Sequence, residues 1–241
     1  MSVVSPSNYW ARIKQSRLGW ALLVTLFVVL IGFVAVLVSG FLSLPWLLDE
    51  VSDNSEIALG ILFPAVLLAA SLGCGVLLKK KSGVGALAFL GLKRPNKNAF
   101  WLTPLMLLIY VIALLISTAI LHALSPELAG QEQEVANTVA SVGGLKLTLM
   151  IISVGLLTPI AEEAFFRGLM ISLYVRRIRY PAAILITSIL FGLAHGQLNV
   201  GMDTFMFGLI LGFLTWKTGS IYPAIGLHML KNCLALYVIL S

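Results

Sequence analysis

The stretch that decides the fold of this chain is residues 145–174, LKLTLMIISVGLLTPIAEEAFFRGLMISLY. It is long enough to cross a bilayer, because a spanning helix needs about 20 mostly apolar residues. Two adjacent glutamates, Glu162 and Glu163, and an arginine, Arg167, nevertheless lie in its interior. A charged side chain at membrane depth costs roughly 3 kcal/mol or more and marks a functional site by default. The stretch therefore predicts chemistry inside a membrane.

The composition of the whole chain is that of a membrane protein. Of its 241 residues, 59% are hydrophobic and 11% are charged, whereas soluble domains carry about 25% charged residues. The mean hydropathy is +1.01. We therefore predict an all-α, polytopic transmembrane helical bundle that forms a single membrane domain over residues 1–241. About seven spanning helices are expected, at 18–44, 57–78, 100–122, 146–174, 181–198, 203–217 and 221–240.

Loop charges predict the orientation of the bundle. Lysine and arginine cluster in alternate loops, whereas acidic side chains occupy the intervening loops, including the one assigned to Asp203. Cytosolic loops are enriched in lysine and arginine, so the N-terminus is expected to be cytosolic. The net charge of +6 follows from this sidedness, and nucleic-acid binding is not expected, since it would require a basic face on a soluble domain. The expected partner of the basic run at 79–81 is the anionic surface of the lipid bilayer.

The charged residues of the fourth predicted helix fall on two faces. Glu163 and Arg167 are four residues apart and therefore neighbours on one helix face, which predicts a supporting ion pair. Glu162 is turned about 100° away and needs another partner. Lys231, in the seventh predicted helix, is expected to snorkel or to pair with a carboxylate of the fourth helix.

Two later helices carry imidazoles. Phe191 and His195 are one turn apart in the fifth predicted helix, and His228 and Asn232 are one turn apart in the seventh. At 1.5 Å per residue, Glu162, His195 and Asn232 lie roughly 16–21 Å from the cytosolic boundary. Three helices therefore offer polar groups at overlapping depth, which predicts one shared site.

A carboxylate, two imidazoles and an amide suit the hydrolysis of a carbonyl group. Glu162 and His195 can hold and deprotonate a water molecule, and His228 and Asn232 can donate hydrogen bonds to the oxyanion. A metal route stays open, because Glu162, His195 and His228 also form a ligand set that suits zinc with an open water position. Zinc is the one cofactor that the residues suggest, and the HExxH motif of zincins is absent from the sequence.

Three motifs resemble those of a known family. The patterns Glu-Glu-x-x-x-Arg at 162–167, Phe-x-x-x-His at 191–195 and His-x-x-x-Asn at 228–232 are similar to those of the CPBP family. This family comprises CAAX proteases and bacteriocin-processing membrane proteins and includes the type II CAAX prenyl endopeptidases. Residues 208–220 and 91–95 also resemble segments of that family. The strong resemblance covers roughly residues 155–232.

The resemblance implies an intramembrane endopeptidase whose helical bundle opens toward the cytosol. Its catalytic core would cover about 146–241, preceded by three transmembrane helices. The implied substrate is a membrane-associated peptide or protein, and the implied location is the plasma membrane of a prokaryote. The implied catalytic residues are Glu162, His195, His228 and Asn232, and the supporting residues are Glu163, Arg167 and Phe191. The competing interpretation is a non-catalytic membrane protein of the same fold, acting in bacteriocin immunity or as a membrane regulator or scaffold.

Overall fold

A computed structural model describes residues 53–82, 85–129 and 143–241, together with the isolated positions 27, 32 and 139. Within these residues every regular element is a helix, and there is no strand, so the all-α prediction is confirmed. Apart from two isolated positions, the first predicted helix lies outside the described residues. The helices are α1 (Asp53–Ser82), α2 (Ala86–Phe89), α3 (Ala99–Leu124), α4 (Pro126–Ala129), α5 (Gly144–Tyr174), α6 (Tyr180–Leu193), α7 (Leu198–Thr218) and α8 (Tyr222–Leu240).

Five of the described helices are long and apolar enough to cross a membrane. They are α3, α5, α7, α8 and the segment Gly60–Leu77 of α1. The prediction of a polytopic membrane bundle is therefore confirmed. α6 has only 14 residues, which is about 21 Å of helix against a hydrocarbon core of about 30 Å. The predicted helix end at 198 is wrong, because α6 ends at Leu193, whereas the total of about seven spans and the cytosolic N-terminus stay predictions.

The chain reverses between α6 and α7 earlier than the hydropathy pattern predicts. α6 ends at Leu193, a four-residue turn follows, and α7 begins at Leu198 rather than at 203. Asp203 therefore lies within a helix, and its assignment to a loop is wrong. A Cβ on Gly192 would lie 2.6 Å from the carbonyl oxygen of Gly201. The absence of side chains at these two positions lets the backbones of α6 and α7 touch and closes the turn between them.

Most buried apolar side chains belong to two clusters. The first joins α1, α2, α5 and α6 and includes Leu90, Phe166 and Phe191. The second joins α3, α7 and α8 and includes Phe207 and Leu227. Because α8 contacts α5 as well as α3 and α7, it lies where the two clusters meet.

Loop hydrogen bonds fix the relative positions of the helices at one end of the bundle. The backbone N–H of Asn96, before α3, donates to the carbonyl oxygen of Thr218 at the end of α7, at 3.0 Å. The backbone N–H of Ile221, before α8, donates to the carbonyl oxygen of Gly91, also at 3.0 Å. The start of α8 is thereby fixed to the loop that follows α2.

Candidate active site

The two glutamates of α5 lie between two π-helical segments. The helix is α-helical at Thr158–Glu163, and it widens to a π-helix at Ser153–Leu157 and again at Ala164–Met170. A π-helix shifts the hydrogen bonds from the fourth to the fifth residue, and such segments occur frequently at functional sites. The sequence reasoning assumed a regular helix here and did not predict them.

Glu163 is the centre of a buried polar cluster. Its side chain is 0% exposed, and its Oε1 accepts hydrogen bonds from Arg167 Nη1 at 2.8 Å and from His228 Nδ1 at 3.0 Å. The guanidinium of Arg167 also lies over the ring of Phe191, 4.4 Å from the ring centroid. The structure thus brings the predicted ion pair of Glu163 and Arg167 together, and it adds a bond to His228 that the sequence reasoning missed.

Glu162 approaches the other nitrogen of the same imidazole. Its Oε2 lies 3.6 Å from His228 Nε2, and its side chain is 14% exposed, more than that of Glu163. This distance is longer than a direct hydrogen bond. His228 therefore lies between two carboxylates, each facing a different ring nitrogen. Within the described residues Glu162 forms no direct ion pair with His195, the residue with which it was predicted to hold a water molecule.

His195 lies just beyond the end of α6 rather than inside the helix. Its Nδ1 is 2.8 Å from the carbonyl oxygen of Phe191. Because a carbonyl oxygen only accepts hydrogen bonds, Nδ1 carries the proton and Nε2 of the neutral ring is free to accept one. The imidazole also contacts the ring of Phe191 edge to face, with centroids 5.0 Å apart.

The ring of Phe191 joins the two imidazoles. Its centroid lies 5.9 Å from that of the His228 ring. The same phenylalanine ring also contacts the imidazole of His195 and the guanidinium of Arg167. His228 meets a second aromatic ring, that of Phe207, at 5.4 Å. Since these two phenylalanines come from the two apolar clusters, His228 lies at the junction of both.

Asn232 binds the backbone of the first π-helical segment. Its Nδ2 donates to the carbonyl oxygen of Val154 at 2.9 Å. The amide has a second N–H, so one donor is used to hold α8 against α5 and one is left for another acceptor. The structure therefore places Asn232 in contact with the backbone of α5, and its role as an oxyanion donor stays a prediction.

The described side chains do not form a metal site. Within the described parts of the chain, no three His, Cys, Asp or Glu residues are grouped closely enough to hold a metal ion. Glu162 and His228 are adjacent, but the third member of the proposed zinc set, His195, is not grouped with them. The described geometry therefore gives no support to the zinc alternative, which stays an untested prediction, and no chemical step is assigned to a metal.

A second ionic cluster lies near the site and was not predicted. Lys231 Nζ lies 2.7 Å from Asp203 Oδ2, and the hydroxyl of Tyr110 donates to Asp203 Oδ1 at 2.9 Å. The expectation that Lys231 pairs with a carboxylate of α5 is wrong, because its partner comes from α7. The signal was present in the sequence, since a lysine and an aspartate in adjacent apolar segments each need an opposite charge.

Comparison with known proteins identifies the segment that holds the site. Residues 144–234 match the family model described as type II CAAX prenyl endopeptidase Rce1-like. The uncharacterized protein YyaK of Bacillus subtilis is 35% identical over 89 residues, which covers 32% of this chain and 30% of YyaK. An uncharacterized 24.3 kDa protein of Escherichia coli is 30% identical over 146 residues, which covers 58% of this chain and 64% of that protein. The chain thus spans less than two thirds of the length of either relative, and no solved structure matches it.

Proposed function

We propose that the chain is an intramembrane endopeptidase, because residues 144–234 match the family model described as type II CAAX prenyl endopeptidase Rce1-like. It hydrolyses a peptide bond of a membrane-associated peptide or protein. The observation that carries the proposal is the position of His228, 3.0 Å from Glu163 and 3.6 Å from Glu162. An ion pair between Glu163 and Arg167 would be complete without Glu162. The additional carboxylate costs stability in a membrane, which a catalytic role would explain.

Glu162 is the proposed general base. It takes a proton from a water molecule that His195 helps to hold through Nε2, and the oxygen of that water attacks the scissile carbonyl carbon. The tetrahedral intermediate collapses when the carbon–nitrogen bond breaks, and the proton on Glu162 passes to the leaving nitrogen. Partial exposure of the Glu162 side chain supports this role, because the base must reach both water and substrate.

His228 and Asn232 are the proposed oxyanion donors. Asn232 offers the N–H that does not bind Val154. His228 donates through Nε2 when both ring nitrogens carry a proton, and the Glu163 carboxylate that accepts from Nδ1 holds the ring in this orientation, as an aspartate does in a catalytic triad. Donors of this kind contribute about 3–4 kcal/mol each to transition-state stabilisation. Arg167 and Phe191 act indirectly, by holding Glu163 and both imidazole rings in place.

The matched family model and the organisms of the two relatives support a further part of the proposal, which concerns the substrate and the location. The domain match favours a peptide with a lipid-modified C-terminus as one substrate class, and the relatives come from two bacteria. We therefore place the proposed activity in a prokaryotic plasma membrane. The alternative is a non-catalytic immunity protein or membrane regulator. In that case the same polar cluster only holds the helices together, and the protein cleaves no peptide.

The test is cleavage by the purified chain in lipid vesicles. A library of C-terminal peptides is supplied in two matched sets, one farnesylated and one not, and products are read by mass spectrometry. We expect cleavage by the wild type and a loss of about 10²–10⁴-fold in Glu162→Gln, because this change removes the base and keeps the size of the side chain. Glu127→Gln, in α4, is the matched control and should cleave like the wild type. Equal cleavage by Glu162→Gln would contradict the mechanism, and no cleavage by the wild type in either set would favour the non-catalytic role.

A further inference from the structure

A three-helix ionic cluster of Asp203, Tyr110 and Lys231 joins α7, α3 and α8. Asp203 is in the second turn of α7, Tyr110 is in the middle of α3, and Lys231 is in α8. Asp203 binds both, with Oδ1 accepting from the Tyr110 hydroxyl at 2.9 Å and Oδ2 lying 2.7 Å from Lys231 Nζ. The side chains of Asp203 and Lys231 are 19% and 18% exposed. Each of these contacts joins a different pair of helices, so the cluster fixes α3, α7 and α8 relative to one another.

One aromatic ring connects this cluster to the candidate active site. Phe207 is fully buried, and its ring centroid is 4.6 Å from that of Tyr110 and 4.9 Å from Lys231 Nζ. The ring of His228 meets it nearly perpendicularly, at 83° and 5.4 Å. Asp203 and Phe207 are four residues apart on α7, and His228 and Lys231 are three apart on α8, so both pairs lie on shared helix faces.

We propose that Asp203, Lys231 and Tyr110 are positioning residues that set the orientation of the His228 imidazole through Phe207. The anchor on Lys231 fixes the rotation of α8 about its axis, and the Phe207 ring supports the imidazole whose Nδ1 binds Glu163. A rotation of α8 by roughly 10° would move a side chain about 6 Å from the helix axis by about 1 Å. A displacement of that size in an active site lowers the rate by about 10²-fold.

The first test reads His228 directly and needs no enzymatic activity. The chain has three histidines, so histidine-selective isotope labelling gives three ring signals, assigned with His122→Gln and His195→Gln. In Lys231→Met and in Asp203→Asn we expect the His228 signal to shift while the His122 signal stays unchanged, because the ring current of Phe207 depends on its distance from the imidazole. Lys231→Arg should keep the wild-type signal, since it retains the charge.

A matched control separates this effect from the loss of a lysine as such. Lys217 also lies over an aromatic ring, 4.5 Å from the centroid of Trp216, but at the other end of α7. Lys217→Met should therefore leave the His228 signal in place. If Lys231→Met does not fold, Tyr110→Phe provides the same test, because it removes one hydroxyl and retains the ring against Phe207. An unchanged His228 signal in the folded variants would overturn the proposal.

The second test uses cleavage and rests on the proposed function. Lys231→Met and Asp203→Asn should lower kcat by about tenfold to a hundredfold with little change in KM, because a positioning role acts on the chemical step and not on substrate binding. Lys231→Arg should restore most of the rate. Normal kcat in both variants would overturn the positioning role. If the wild type cleaves nothing while the His228 signal still shifts in the variants, the proposed protease function fails and the structural coupling stands.

Discussion

Replacing Glu163 by glutamine tests the central feature of the site. One carboxylate oxygen, Oε1, accepts from both Arg167 and His228. Glutamine keeps the shape and one acceptor oxygen but removes the negative charge, so Arg167 becomes an uncompensated cation that is 1% exposed. Both stability and catalysis should fall, for two different reasons.

The size of the stability loss follows from the burial of the pair. Removing one partner of a buried ion pair costs about 3–5 kcal/mol, which for a chain of this size lowers the melting temperature by about 6–20 °C. Within the described residues, Glu163 Oε2 and Arg167 Nη2 have no hydrogen-bond partner, so the pair itself is costly to bury. Replacing both residues, Glu163→Gln with Arg167→Met, should therefore recover at least half of the lost melting temperature.

Catalysis should respond differently in the double variant. His228 still lacks the carboxylate that orients its Nδ1, so peptide cleavage should stay low although the fold recovers. Melting in detergent and cleavage in vesicles are measured in parallel on wild type, the single variant and the double variant, with Glu162→Gln as a control that alters charge one residue earlier. The reasoning is refuted if Glu163→Gln melts like the wild type, or if the double variant melts no higher than the single one.

Three further predictions concern the metal, the topology and a close backbone contact. Chelation with EDTA should leave cleavage unchanged, and elemental analysis should find no stoichiometric zinc in the purified protein. Activity that is lost on chelation and restored by zinc would refute this prediction. Labelling of introduced cysteines with an impermeant reagent in intact cells should reach Gln133→Cys but not Ser82→Cys, because basic loops are cytosolic; the reverse pattern would contradict the topology. Gly168→Ala should destabilise the protein by about 1–3 kcal/mol, since the added Cβ would lie 2.8 Å from the carbonyl oxygen of Leu90. The control is Gly226→Ala, whose Cβ would meet no atom within 4 Å. This control variant should melt no lower than the wild type.

The parts of the site that depend on one helix were predictable from the sequence. The ion pair of Glu163 and Arg167 follows from helical spacing alone, because residues four apart share a face and neither charge is tolerated singly in a membrane. Most of the membrane-spanning helices were also predictable, because a run of about 20 apolar residues is visible in the sequence itself. Helical spacing and hydropathy are both local properties of the chain.

Contacts between helices were harder to predict. The hydrogen bond from His228 to Glu163 depends on how closely α8 packs against α5. Part of this contact involves the first π-helical segment of α5, where the carbonyl oxygen of Val154 accepts a hydrogen bond from Asn232. A π-helix changes which side chains share a face, so angles counted for a regular α-helix do not transfer to this region. Asp203 was misplaced because a charge lowers the hydropathy of its segment, although its pairing with Lys231 allows it to lie inside a helix.

The early end of α6 has a chemical consequence at His195. In a continuing helix the backbone N–H of residue 195 would donate to the carbonyl oxygen of Phe191. Here that N–H donates to Gly192 instead, at 3.2 Å, and the Phe191 carbonyl would be left without a partner, as happens at helix ends. The imidazole supplies that partner through Nδ1, at 2.8 Å. The turn that ends α6 at Leu193 therefore also selects the tautomer of His195, and it leaves Nε2 as the nitrogen able to accept a proton.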